Sequence, residues 1–531
     1  MALIDRPPEL ELRPRPGSLA SADAPARNSV FMAYVVLCMS FAVAILVANV
    51  TQSRQDTSGG LYCIALFAVC AGPGLMGRYN PRHRLLSLFM GCYFVIFGLH
   101  STMKILTGAN TGGLFRPDGT SDGMGAGYVL ASDAAVILGV LALLAAYFLV
   151  SALRGRKAST FLDYEWRYTS ILAIGVIAWT IGFGEMIAYQ LNVSPLHIPK
   201  SVMGLPLGIA SNIRLLSPIG GMMLIYLVAR GYRPKLVWPL LLIVIGSEFI
   251  FGFIGNSKEV SFRIPVLLLV GLYFLDGKVS KKILITMLVV GVPYLLFFNA
   301  YRTITLEHDY QTPAEALAAF SKNIQAVKQQ TAGQEGVVSS SLESFTQRVD
   351  GKIYVDIIVA GTDSGRVRRL GAESLWWFFE SFIPSFLWPE KPDIVLGQRF
   401  NHEFHLSESL FTFVPTTQLG ELYWDFGLPG AIIGMAVIGI IISWLSGALL
   451  ERSTMTVPRF MMLLMSTYYL AVRFEDNIAN QYSVFVRLMI LIWLADRILR
   501  TISVSVALPP AGGSEAASIR SATRPMNLLT H

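Results

Sequence analysis

The sequence is poor in charged residues. Only 15% of its 531 residues are Asp, Glu, Lys or Arg, whereas 53% are hydrophobic and the mean hydropathy is +0.54. A soluble globular protein carries about 25% charged residues. The deficit excludes an ordinary soluble enzyme. Because a membrane-spanning helix consumes about 20 apolar residues, it indicates an integral membrane protein built of helices.

Cysteine is scarce as well. The four cysteines are Cys38, Cys63, Cys70 and Cys92, and each lies inside an apolar run. Their spacing is neither that of a metal site nor that of a disulfide framework, so we expect four small buried side chains. The net charge of +7 does not indicate a nucleic-acid partner, because Lys and Arg concentrate at the ends of the apolar runs.

Long apolar runs are abundant. About twelve of them are long enough to cross a bilayer, so we predict an all-α polytopic membrane protein with about 12 transmembrane helices and one large extracytoplasmic loop. The predicted spans are 29–50, 61–77, 85–106, 129–152, 168–192, 208–229, 236–256, 262–277, 282–301, 426–450, 457–474 and 480–499.

The alternation of basic residues between the connections orients the chain. Lys and Arg recur in every second connection, for example in 78–84, 154–157 and 230–235, and connections of this kind face the cytoplasm. Both termini are then cytoplasmic. The predicted organisation is an N-terminal tail (1–28), a membrane bundle of spans 1–9 (29–301), the extracytoplasmic loop (302–425), spans 10–12 (426–499) and a disordered C-terminal tail (500–531).

Charged residues interrupt the outer halves of the predicted spans. A charge deep in a bilayer is costly unless it is paired or hydrated, so such residues are candidates for function. The residues concerned are Asp133, Glu185, Arg214, Glu248, Arg473 and Arg487 within spans, and Lys258, Arg263 and Arg302 at their outer ends. Because Arg binds phosphate through a planar donor fork, the basic members suit a lipid-linked phosphate. The alternative is that they extend to lipid headgroups or form structural ion pairs.

An aromatic segment with prolines lies in the second half of the large loop. Its members include Trp376, Trp377 and Trp388, which suit two roles: anchors at the membrane interface, or flat faces for sugar rings. Pro384 and Pro389 exclude a continuous helix there.

His402 and His405 are three residues apart, which would place them on one face of a helix. A metal pair, a hydrogen-bonding pair and a catalytic or acceptor-positioning group are all compatible with this spacing, but no clear third metal ligand accompanies them. The carboxylates that suit such a site best are Glu380, Glu390, Glu403 and Glu421.

Three motifs carry a resemblance to a known family. They are Arg348 at the opening of a predicted helix, Ile383–Pro392 with its LWPEKP element, and Gly420–Gly430 with the sequence GELYWDFGLPG. Together with the basic outer turn and Arg302, they resemble the oligosaccharide repeat-unit polymerases, the O-antigen (Wzy-type) polymerase family, over residues 245–445.

The resemblance implies a GT-C-like glycosyltransferase of the bacterial inner membrane. It would join polyprenyl-diphosphate-linked oligosaccharides into O-antigen or exopolysaccharide, with a chain-length regulator and a flippase as partners. The implied diphosphate ligands are Lys258, Arg263, Arg302 and Arg348, the implied sugar contacts are Trp376, Trp377, Trp388 and Lys391, and the implied catalytic groups are Glu421 and His402. Since basic side chains can neutralise a diphosphate, we expect neither a metal nor another cofactor.

Two other functions stay open. An O-antigen-ligase-like transferase would use the same donor but deliver the chain to a different acceptor. A polysaccharide or lipid transporter would place its site near the bilayer midplane at an interface of repeats. The charges here lie outward and no repeat is visible, which favours the enzyme.

Overall fold

The fold is described from a computed structural model. It describes residues 23–51, 57–107, 126–154, 162, 164–190, 213–254, 257–276, 281–287, 289–291, 293–294, 298, 350–383, 387–388, 390–391, 396–406, 414–451, 455–474 and 476–507. Within these ranges the regular structure is helical, and no strand occurs.

The helices follow the apolar runs closely. They are α1 (Asp23–Thr51), α2 (Thr57–Tyr79), α3 (Arg84–Thr107), α4 (Ala126–Arg154), α5 (Tyr168–Gln190), α6 (Leu216–Ala229), α7 (Pro234–Ile254), α8 (Lys258–Asp276), α9 (Gly351–Asp363), α10 (Glu373–Glu380), α11 (Leu396–Glu403), α12 (Gln418–Leu450), α13 (Val457–Thr467) and α14 (Ile478–Ala507). A short 3₁₀ turn, Pro81–His83, precedes α3, and a π-helix, Tyr468–Val472, continues α13.

Seven helical stretches in the described chain are long and apolar enough to cross a membrane. They are Met32–Thr51, Ser58–Tyr79, Pro81–Leu106, Gly127–Arg154, Tyr168–Ala188, Pro234–Phe253 and Gln418–Leu450. Two shorter apolar helices are Leu216–Ala229 and Val457–Val472. The prediction of an all-helical membrane protein is confirmed at this level, and the full count of about 12 spans remains a prediction.

The bundle is held by close helix contacts. α12 packs along α4, α5 along α6, α2 along α3, and α7 along α8. α12 and α4 approach each other closely because Gly439 has no side chain: a Cβ there would overlap the carbonyl oxygen of Leu143. α9 lies outside the candidate spans and packs against α3, α4 and α12.

α12 is broken near its N-terminal end. Gly427 has φ 69° and ψ −156°, and Pro429 supplies no backbone N–H. The carbonyl groups that lose helical partners at such a break must be satisfied elsewhere. The connection between α9 and α10 provides the donors: Arg369 Nη1 to the Tyr423 oxygen at 3.1 Å, Leu370 N–H to the Trp424 oxygen at 3.2 Å, and Gly371 N–H to the Asp425 oxygen at 3.1 Å.

One end of the bundle is rich in basic residues that pair locally. Arg82 Nε lies 2.8 Å from Glu451 Oε1, and Arg230 donates to the carbonyl oxygen of Met455 at 2.5 Å. Thr456 also donates to the Leu162 oxygen, at 2.6 Å. The alternation of Lys and Arg predicts that this end is cytoplasmic. The candidate site lies at the other end.

Candidate functional site

The π-helix stands at the centre of the candidate site. π-Helical turns occur frequently at functional sites. Tyr468 and Tyr469 on this turn are both buried. The Tyr468 hydroxyl donates to Glu259 Oε1 at 2.7 Å, which connects the π-helix to the first turn of α8. The Arg473 guanidinium carbon lies 5.6 Å from the centroid of the Tyr469 ring.

Arg473, which follows the π-helix, forms ion pairs that connect this turn to α8 and to the start of α14. Its Nε lies 3.3 Å from Glu259 Oε1 on α8, and its Nη2 donates to Asp476 Oδ2 at 2.7 Å, just before α14. Burial raises the pKa of Asp476, and the neighbouring Arg473 opposes that effect. An arginine shared between two carboxylates fixes the neighbouring ends of α8, the π-helix and α14 relative to one another.

Arg263 is also paired with an acid. Its Nη2 lies 3.0 Å from Glu248 Oε1 and its Nε donates to Oε2 at 3.4 Å. The Glu248 side chain has 0% exposure and also accepts a hydrogen bond from the Ser217 hydroxyl. The guanidinium orientation is therefore set by a buried carboxylate, so only its remaining N–H groups could contact a phosphate.

The other predicted diphosphate residues are placed as follows. Lys258 opens α8, and its Nζ lies 5.5 Å from the centroid of the Phe298 ring. Arg302 and Arg348 lie outside the described residues.

Arg487 on α14 is a third arginine near the π-helix, within electrostatic range of Tyr469. It donates to the Ser483 carbonyl oxygen at 3.2 Å and to the Ser483 hydroxyl at 3.0 Å. We name Arg263, Arg473 and Arg487 the arginine cluster. The sequence had marked Arg473 and Arg487 as charges within spans and Arg263 as a charge at the outer end of a span, and the fold brings all three to one end of the bundle.

Glu421 is fully buried at the start of α12. Its Oε2 accepts the backbone N–H of Ile478 at 2.7 Å. This contact caps the N-terminus of α14, where a negative charge is favoured by the helix dipole. The position explains why a carboxylate stands here, and the predicted catalytic role stays a prediction.

His402 is exposed on α11, so it does not share the environment of the buried Glu421. The His402 and His405 rings have centroids 6.4 Å apart. In the part of the chain that the structure describes, no group of three His, Cys, Asp or Glu side chains could hold a metal ion.

The aromatic segment is split between an exposed face and a packed face. Trp376 and Phe379 are each 61% exposed, whereas Ser374 and Glu380 on the same helix, α10, are buried. α10 packs against α14. Trp377 and Trp388 are half-buried. An exposed aromatic stripe beside apolar spans suits the membrane interface, and sugar stacking remains a prediction.

Lys391 lies close to this helix and to the arginine cluster. Its Nζ donates to the Ile383 carbonyl oxygen at 3.2 Å. Burial lowers the pKa of Lys391, the nearby Arg487 lowers it further, and Glu380 opposes both effects. The predicted sugar contact is thus brought into the same electrostatic environment as Arg487.

A second polar cluster was largely missed by sequence reasoning. Lys352 Nζ on α9 lies 2.9 Å from Asp133 Oδ1 on α4, and 2.8 Å and 3.0 Å from the two carboxylate oxygens of Asp356. His100 Nε2 on α3 lies 3.9 Å from Asp350 Oδ2. We name Asp133, Asp350, Lys352, Asp356 and His100 the aspartate cluster. The sequence feature that could have indicated this cluster is the spacing of Lys352 and Asp356, which are four residues apart on a helix and can therefore form an ion pair.

The two clusters are neighbours at the same end of the bundle. Phe474, next to Arg473, packs on Phe97 with ring centroids 5.4 Å apart, and Phe97 precedes His100 by one turn of α3. The Phe474 carbonyl oxygen accepts the N–H of Gln418 at 3.2 Å. Thr417, which caps α12, has φ 60°, a conformation that β-branched residues rarely adopt and that occurs most often at functional sites.

The fold and this site define an all-helical membrane protein whose arginines and aspartates meet at one end of the bundle. No family model, no curated protein and no solved structure matches the chain.

Proposed function

We propose that the protein is a membrane glycosyltransferase that polymerises lipid-linked oligosaccharide repeat units. The substrates would be polyprenyl-diphosphate-linked oligosaccharides. The observation that carries the proposal is the arginine cluster, which lies at one end of the bundle beside Lys391 and the aromatic helix α10. The motifs that resemble oligosaccharide repeat-unit polymerases supply the choice of reaction.

The reaction requires stabilisation of a leaving diphosphate. When an acceptor hydroxyl attacks C1 of the donor sugar, negative charge accumulates on the diphosphate oxygens. Fixed guanidinium groups stabilise such charge without reorganisation. Arg487 is the strongest candidate within the arginine cluster, because it donates to the neutral groups of Ser483, whereas Arg263 and Arg473 are paired with carboxylates.

A lipid-linked donor would reach this site from the membrane. The exposed faces of Trp376 and Phe379 would lie at the interface, at the level of lipid headgroups. In this proposal the protein spans the bacterial inner membrane about 12 times in a GT-C-like bundle, with both termini cytoplasmic and the site outside. Basic side chains replace a metal, and Glu421 and His402 remain candidates to assist the acceptor.

The proposal is tested in cells by deletion and complementation. Without the gene, extracted polysaccharide should contain single repeat units and no ladder, and the wild-type gene should restore the ladder. Arg487→Ala should restore little polymer, whereas Arg366→Ala, which alters an exposed arginine between α9 and α10, should restore all of it.

Other outcomes assign other functions. Intact lipid-linked polymer in the deletion strain would indicate a ligase, and repeat units retained inside the cell would indicate a transporter. An unchanged polysaccharide pattern would contradict all three.

A further inference from the structure

A histidine and an aspartate from distant parts of the chain meet beside the arginine cluster. His100 Nε2 on α3 lies 3.9 Å from Asp350 Oδ2, and the two side chains are 12% and 10% exposed. The other carboxylate oxygen, Asp350 Oδ1, accepts the backbone N–H of Lys352 at 3.1 Å and caps α9. One carboxylate therefore caps a helix and lies within ion-pair distance of an imidazole.

Charged and titratable groups on α2, α3, α4 and α9 lie around this pair. Lys352 and Asp356 belong to α9, Asp133 to α4, Lys104 to α3 and Tyr62 to α2, where the Lys352 Nζ lies 5.2 Å from the Tyr62 ring centroid. Asp133 and Asp356 therefore both pair with one buried lysine, whose charge also acts on Asp350.

Burial and repulsion from Asp356 raise the pKa of Asp350 to about 7, against the effect of Lys352 and of the N–H groups that open α9. A group that titrates near neutral pH can exchange a proton during turnover.

On the basis of the proposed function, we infer that His100 is the general base for the acceptor hydroxyl and that Asp350 positions it. The acceptor oxygen forms a bond to C1 of the donor sugar, and the bond between C1 and the diphosphate oxygen breaks. The electron pair leaves with the diphosphate, and the hydroxyl proton passes to the imidazole. Asp350 stabilises the imidazolium in its carboxylate form, which makes up about half of the protein near pH 7.

The position of the pair supports this assignment over the groups predicted from sequence. Glu421 is fully buried and caps α14, and His402 is exposed on α11. His100 instead lies one turn from Phe97, whose ring packs on Phe474, the neighbour of Arg473. The packed rings of Phe97 and Phe474 therefore connect the segment that carries His100 to the segment that carries Arg473, which brings the proposed base to the same end of the bundle as the arginine cluster.

The test measures the initial rate of elongation by full-length protein in liposomes that contain the lipid-linked repeat unit. His100→Gln should lower the rate by about 10²-fold or more, the usual contribution of a general base. His405→Gln, which alters an exposed histidine, should leave it unchanged. Imidazole added to His100→Ala should restore part of the rate, which a purely structural histidine would not allow.

Asp350→Asn separates positioning from capping. Asn caps helices as well as Asp does, so α9 should stay folded, but the imidazolium loses its charged partner. The rate should fall about tenfold or more. Titration of Asp350 should give the wild-type rate an inflection near pH 7, and Asp350→Asn should lack it.

Two results would overturn the assignment. His100→Gln or Asp350→Asn with a wild-type rate and a wild-type pH profile would show that the pair is structural. Wild-type protein that elongates nothing would instead overturn the proposed function, and this assignment with it.

Discussion

Glu248 carries a charge into a part of the bundle where its side chain has no exposure, and Arg263 supplies the compensating charge. Removing one member of a buried pair leaves the other without a partner, which costs about 3–5 kcal/mol. The pair is therefore a strong constraint on how α7 and α8 lie together, whatever else Arg263 contacts.

We predict that Arg263→Ala will lower the amount of folded protein in the membrane and its unfolding temperature. The double variant Glu248→Gln with Arg263→Gln should recover stability, because no uncompensated charge is left. Unfolding followed by fluorescence-detected chromatography measures both. If the recovered double variant also polymerises normally, Arg263 is not a diphosphate ligand.

Asp350 gives the protein a pH-dependent stability. Its pKa in the fold is about 7 instead of the ordinary 3.8, so the fold favours the protonated form. The stability linked to this proton is complete below pH 3.8 and is lost as the pH rises through about 7.

We therefore expect the unfolding temperature of the wild-type protein to fall between about pH 4 and pH 7 and to change little from this group at higher pH. The fall should be smaller in Asp350→Asn, which caps α9 but does not titrate. Equal falls in both proteins would contradict this pKa.

For single residues, the sequence predicted which charged side chains matter better than it predicted what surrounds each of them in the fold. It marked Asp133, Glu248, Arg473 and Arg487 as charges that needed an explanation, and the structure shows buried or half-buried partners for each. It did not predict that Glu421 caps α14, since that contact joins residues 57 positions apart in the chain.

At the scale of elements, α12 begins earlier than hydropathy indicates. The predicted tenth span starts at residue 426, whereas the helix starts at Gln418 with Thr417 as its cap. GELYWDF carries two acids, so its hydropathy is low. The segment is helical because Arg369, Leu370 and Gly371 satisfy the carbonyl groups that the break at Gly427 exposes.

The break predicts a glycine requirement. Gly427→Ala should destabilise the protein by about 1–3 kcal/mol, because only glycine tolerates this conformation and the new Cβ would lie 2.6 Å from Arg369 Nη1. Gly246→Ala is the control, since nothing lies within 4 Å of a Cβ there. Equal unfolding temperatures for the two variants would contradict the kink.

The aromatic helix α10 predicts a membrane contact. In a variant whose four cysteines are replaced by alanine, Phe379→Cys should react several-fold more slowly with a water-soluble maleimide in liposomes than Arg366→Cys does. Both positions are exposed in the protein alone, so a difference reports the lipid. Equal rates would place α10 in water.

For the whole molecule, composition was enough to predict a helical membrane protein, and the seven candidate spans agree with it. The number of spans is harder to obtain from hydropathy. α8 and α14 contain Arg263, Arg487 and other charges that lower their hydropathy, and neither is among the candidates. The composition of the site could not be predicted from the sequence, because its residues come from six or more elements and only tertiary contacts bring them together.

The central claim is that this bundle polymerises lipid-linked repeat units through basic side chains and without a metal. The most direct measurement gives purified protein its lipid-linked repeat unit in liposomes with EDTA present and resolves the products on a gel. A ladder that forms at nearly the same rate with EDTA as with magnesium is the predicted result. Products no longer than one repeat unit would contradict the claim, and so would elongation that stops with chelation and returns with metal.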